Sequence, residues 1–169
     1  MAKSTFSGPV KSLAGFISAG VNSSVSLTAD TTLTVDAHAG KILLCNDADG
    51  KFTLPSIVST TPSDPTDPNQ ANNIGASFYF YIETAATDLD ILTDGTDKFK
   101  GAVLVAVDDG AKKAFVPAAS NDVMTMNGST KGGVVGSVVQ VTAIDTATYL
   151  VHDSLLIGSG TIVTPFADA

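Results

Sequence analysis

The feature that most constrains this chain is a two-residue alternation of apolar and polar side chains, which begins near Val21 and returns in short segments to the C-terminus. A period of two puts successive side chains on opposite faces of a sheet, so an all-β fold is expected. "SVSLT" and "TLTVD" read as a first pair of strands, with Val25 and Leu27 matched to Leu33 and Val35. "GKILLCNDADGKFTLP" reads as a hairpin turning at Asp49-Gly50, a dipeptide that tolerates positive φ. In "SFYFYIET", Phe78, Phe80 and Ile82 fall on one face and Tyr79 and Tyr81 on the other. A strand with packing residues on both faces belongs in the middle of a sheet.

Further turn signals stand at Asp94-Gly95, Asp109-Gly110, Asn127-Gly128 and Gly158 to Gly160. Short strands with turns every dozen or so residues predict an antiparallel sandwich or jelly-roll-like barrel. Composition agrees: the anions are sixteen Asp and the single Glu83, the nine cations are all Lys, and Arg is absent. Asp, Thr, Val and Gly favour turns and strands, whereas the residues that clothe helices are scarce.

At 169 residues the chain suits one domain with a sizeable core. Residues 1–20 space their apolar side chains with Ser, Gly, Lys and Pro, and are expected to form an extended N-terminal arm. Residues 21–169 form the β domain, with a Pro/Asp-rich loop near 56–76 in which Pro62, Pro65 and Pro68 recur. No apolar run approaches the roughly 20 residues of a membrane span, and the start lacks the continuous apolar core of a secretory signal. The expectation is a soluble, unprocessed protein without a membrane partner. A net charge of −8 and no Arg oppose binding to a nucleic-acid backbone.

Chemistry has few footholds. There are two histidines, His38 and His152, and His152-Asp153-Ser154 suggests a triad. Strict alternation on a strand would part those three side chains, leaving polar residues at a strand end. Cys45, the only cysteine, lies among apolar neighbours and is expected in the core, away from any dyad with His38. Asn46, Asp47 and Asp49 lack the glutamate that closes an EF-hand loop; Asp88, Asp90, Asp94 and Asp97 offer oxygen ligands, but turn formation explains them as well. "NGSTKGG" at 127–133 has glycines without the Gly-Lys-Ser/Thr order of a phosphate loop, and Ser159 lacks the glycine spacing of a nucleophile elbow. No catalytic residue, metal or cofactor is expected.

"FSGPVKSLAGF", "AGKILLCNDADGKFTLP", "SFYFYI" and the long run from "DVMTMNGSTKGG" to "GTIVTPF" together resemble small virion proteins of tailed bacteriophages of marine bacteria and cyanobacteria, of the capsid decoration, or cement, type. The resemblance covers nearly the whole chain, except that the Pro/Asp loop is longer than expected. It implies a non-enzymatic protein, made in the host cytoplasm, that binds the major capsid protein on the outer capsid surface and stabilises the shell. A homotrimer mounted on local threefold points is implied with it. Phe6, Val10, Leu13 and Phe16 of the arm are the expected capsid contacts. The alternative is a tail or head fibre module that binds host-surface glycans.

Overall fold

The computed structural model describes residues 23–58, 72–108 and 110–169. The arm, with Phe6, Val10, Leu13 and Phe16, and the centre of the Pro/Asp loop lie outside the described residues. The regular structure of these residues is nearly all strand, in two mixed sheets.

The first six strands are wound as a coil between the two sheets. β1 (Ser24–Leu27), β3 (Ile42–Cys45) and β5 (Ser77–Ile82) lie side by side and parallel in the larger sheet. β2 (Thr31–Thr32), β4 (Lys51–Thr53) and β6 (Leu89–Leu92) do the same in the smaller one. Each strand therefore pairs with the strand one full turn away, and its chain neighbour sits in the opposite sheet. β7 (Lys98–Gly101), β8 (Val103–Val107) and β9 (Lys112–Phe115) return to the larger sheet. β10 (Val123–Met126) joins β6 in the smaller sheet, β11 (Val138–Ala143) joins β5 in the larger, β12 (Thr148–Gly158) follows β11, and β13 (Phe166–Ala167) closes on β10.

The all-β expectation holds, and the expected antiparallel pairing holds for only part of the molecule. A hairpin and a coil present the same local pattern, a short alternating strand followed by turn residues. They differ only in which strand supplies the hydrogen bonds. Asp49-Gly50 is thus a corner between sheets. Gly50 keeps a negative φ and is needed because a Cβ there would lie 2.7 Å from the Phe52 ring. The expected partner of β1 is likewise divided: Leu33 is buried, but Val35 begins α1 (Val35–His38), a helical turn whose Ala37 amide is capped by the Thr34 hydroxyl.

Inward side chains of both sheets form one core. Phe78, Phe80 and Ile82 are fully buried, as their alternation requires, and β5 lies between β3 and β11. Phe80 stacks on Phe52 of the facing sheet with ring centroids 6.4 Å apart, and Phe99 meets Phe166 at 6.3 Å. Cys45 is in this core, where burial pushes its thiol pKa up to about 12. Tyr149 is also buried and donates its hydroxyl to the Pro55 carbonyl at 2.6 Å, fixing the strand end from which the Pro/Asp loop departs.

Candidate interaction surface

The outer face of the larger sheet differs from the rest of the surface. One row crosses parallel and antiparallel pairs, from Ser26 through Leu44, Tyr81, Val138 and Leu155 to Leu104. A second row places Ser24, Ile42, Tyr79, Gln140 and His152 side by side. Ile42, Leu104 and Leu155 are about 40% exposed, at 44%, 40% and 39%. The strands of this sheet hold one of the chain's seventeen carboxylates, Asp153, and four of its lysines, Lys98, Lys100, Lys112 and Lys113. Acidic side chains are instead placed on loops and on the opposite side, where Asp88, Asp90 and Asp168 line a shallow recess with Lys51.

His152, Asp153 and Ser154 lie inside β12, where the strand carries one residue more than its partner: Gln140 is opposite His152, but Val138 is opposite Leu155. Asp153 takes up the extra residue at φ 46, a left-handed conformation that a non-glycine residue adopts at some cost. Strict alternation therefore fails here. Before the bulge His152 faces outward, and after it Leu155 does. β12 also changes neighbours at this point, with β7 alongside Thr148–Val151 and β8 alongside Leu155–Gly158.

The bulge brings His152 Nδ1 to 2.9 Å from the Asp153 carboxylate, a contact that strict alternation had excluded. His152 Nε2 is 2.8 Å from the Thr142 hydroxyl, which is 2.6 Å from the Ser77 hydroxyl. Ser154 takes no part in this relay. Its hydroxyl donates to the His152 carbonyl and accepts the Gln140 amide. Carboxylate, imidazole and hydroxyl thus stand in the order of a nucleophile relay. The strand that carries Thr142 is paired on both sides, so its amides are engaged in ladders and do not converge on an oxyanion position. The relay ties the bulge to β11 and β5.

The other sites foreseen are parted or occupied. His38 Nδ1 accepts the Thr34 amide, while Cys45 is in the core. Asn46 accepts the Thr84 hydroxyl. Asp94 Oδ1 accepts the Thr96 amide and hydroxyl and the Asp97 amide, closing the turn at Gly95, whose φ is 88°. Asp97 is buried and holds the Ile57 amide at 2.9 Å. Among the described residues no three His, Cys, Asp or Glu side chains gather around a point that could hold a metal ion. In "NGSTKGG", Asn127 Oδ1 accepts the Ser129 and Lys131 amides, and Ser129 bridges to Gly132. This is a closed turn. Sequence reasoning missed the apolar outer face because each of its strands contributes only one or two side chains; the signal was the scarcity of carboxylates in the strands.

Fold and surface together define a two-sheet, all-β protein with one carboxylate-poor sheet face that exposes Ile42, Leu104 and Leu155. No family model, curated protein or solved structure matches the chain.

Proposed function

We propose that this chain is a non-enzymatic capsid decoration protein that binds the major capsid protein on the outside of a bacteriophage shell, with the homotrimer as its mounting unit. The sequence resemblance supplies the family. The observation that supports it most is the division of charge on the surface: a sheet whose strands hold one carboxylate, and acidic side chains on loops and on the opposite side. A face that exposes Ile42, Leu104 and Leu155 and holds one carboxylate, on a protein of net charge −8, suits a seat for another protein. The polar side chains that could carry chemistry are engaged in turns, a helix cap and a bulge. Phe6, Val10, Leu13 and Phe16 of the arm fit grooves between shell subunits, and their burial offsets the cost of ordering a chain rich in Gly and Ser.

Copy number tests this reading. Quantitative mass spectrometry of purified virions should find hundreds of copies per particle, as shell symmetry demands, and a few tens or fewer would sink it. That lower number would support the fibre reading, which has its own observation: Tyr79, Tyr81, Gln140 and His152 form an aromatic and polar platform suited to a sugar ring.

A further inference from the structure

The outer face of the larger sheet has an apolar half and a polar half. Val138, Leu155 and Leu104 continue one row from Tyr81. One step along the strands Tyr79, Gln140 and His152 stand side by side, and beyond them Ser77 is opposite Thr142. The polar half therefore lies on β5, β11 and β12, inside the sheet and away from its edges. Part of it is already fixed. With the proton of a neutral imidazole on Nδ1, His152 donates to Asp153 at 2.9 Å and accepts the Thr142 hydroxyl at 2.8 Å, while Ser77 donates to Thr142 at 2.6 Å. The rest is uncommitted. The half-buried Tyr79 and Tyr81 and the side-chain amide of Gln140 make no side-chain hydrogen bond among the described residues. Asp153, whose side chain is 81% exposed, uses one carboxylate oxygen and leaves the other free.

We propose that this polar half binds a neutral oligosaccharide. A sugar ring carries C–H bonds on one face and hydroxyls around its rim. The polarised C–H groups rest on the negative face of an aromatic ring, and the hydroxyls need donors and acceptors set beside that ring. Tyr79 supplies the ring, and Gln140, about 4.8 Å across on the next strand, supplies both a donor and an acceptor. Asp153 adds an acceptor for adjacent hydroxyls. Tyr81 is a second ring about 7 Å along β5, which matches a chain of linked sugars better than a single one. Charge favours a neutral ligand, because the one carboxylate is engaged by an imidazole and the nearest strand lysine, Lys100, is two strands from Thr142. The bulge is what brings these groups together. Under strict alternation Asp153 would share the buried side of Val151, and the extra residue at φ 46 turns it outward beside His152. Bulges re-aim side chains in this way, and a left-handed non-glycine residue is strain of the kind that gathers at binding sites. The hydrogen-bonded chain from Asp153 to Ser77 holds the site in place before a ligand arrives, which lowers the cost of binding.

The site serves a decoration protein and a fibre module alike, so it is tested on the isolated chain, whereas copy number in the virion separates those two readings. The isotope-labelled full chain is titrated with neutral trisaccharides of glucose, galactose, mannose and N-acetylglucosamine at millimolar concentration, and amide chemical shifts are followed. At least one trisaccharide should give saturable shifts clustered at residues 77–81, 140–142 and 152–154. Tyr79→Ala and Gln140→Ala should each weaken that binding about tenfold with a native circular dichroism spectrum, and Leu104→Ala, at the end of the apolar row, should leave it unchanged. If Tyr79→Ala fails to fold, Asp153→Gly still decides. Glycine adopts positive φ freely, so that variant should keep the fold and lose affinity. No saturable shift with any of the four sugars, wild-type affinity in both Gln140→Ala and Asp153→Gly, or shifts centred on Leu104 and Leu155 would each overturn the proposal. Tighter binding of the acidic trigalacturonate than of every neutral trisaccharide would do the same.

Discussion

Asp94 closes its turn with one carboxylate oxygen, and the same contacts set its pKa. Partial burial opposes ionisation, but the Asp97 amide, the Ser56 hydroxyl and the hydroxyl and amide of Thr96 outweigh it and hold the pKa at about 2. A folded pKa below the ordinary 3.8 contributes stability that is present above that value and lost as pH falls through about 2. Asp94→Asn keeps an acceptor in place but cannot titrate. Its melting temperature should therefore fall less steeply than wild type between those two pH values; parallel curves would show that the carboxylate charge is not what the turn holds. Asp97 runs the other way, because burial raises its pKa and outweighs the Ile57 amide. Its contribution is complete in acid and lost as pH rises through the folded pKa. In the core, Phe80→Ala removes a ring that stacks on Phe52 at the join of the two sheets, and should cost about 3–5 kcal/mol in denaturant unfolding. A loss under about 1 kcal/mol would mean that the cavity collapses.

At the scale of elements, the Pro/Asp loop is closed at its base by one side chain. Asn73 Oδ1 accepts the Val58 amide, its Nδ2 donates to the Ser56 carbonyl, and its own amide reaches the Val58 carbonyl. The two ends are thus joined without the residues between them. Replacing residues 60–70 with a short Gly-Ser bridge should leave the melting temperature within a few degrees of wild type, since loop-closure entropy changes slowly with length. Asn73→Ala should lower it by more than that excision does, because buried backbone groups lose their partners. The opposite ranking would show that the loop itself supports the fold. A second closed element is the turn at 127–133, where a Cβ on Gly132 would lie 2.5 Å from the Leu156 Cβ at a φ of 77°. Gly132→Ala should destabilise by more than about 1 kcal/mol through strain and a clash with β12.

Across the described residues, the strands of the larger sheet hold one carboxylate, Asp153, and the other acidic side chains lie elsewhere. Deleting residues 2–18 should leave circular dichroism and melting nearly unchanged while abolishing attachment to undecorated capsids. On the proposed homotrimer, several arms acting together would make attachment steeper than any single arm allows. Full attachment by the truncated protein would transfer the docking role to the β domain, and loss of folding would make the arm part of the core.

The sequence by itself determined that the regular structure is nearly all strand and which side of a strand such as β5 is buried, because a period of two leaves no other assignment for Phe78, Phe80 and Ile82. It also placed turns at Gly95 and Gly128, where positive φ suits glycine. The tertiary structure decided how the strands pair. Hydrogen bonds between β1, β3 and β5 join residues a full turn of the coil apart, and local propensity cannot distinguish such a return from a hairpin. The tertiary structure also set the bulge at Asp153, since an extra residue exists only relative to the strand beside it, and with it the facing of His152 and Leu155. Alternation is a property of one strand; register, parallel order and the continuous outer face are properties of neighbours.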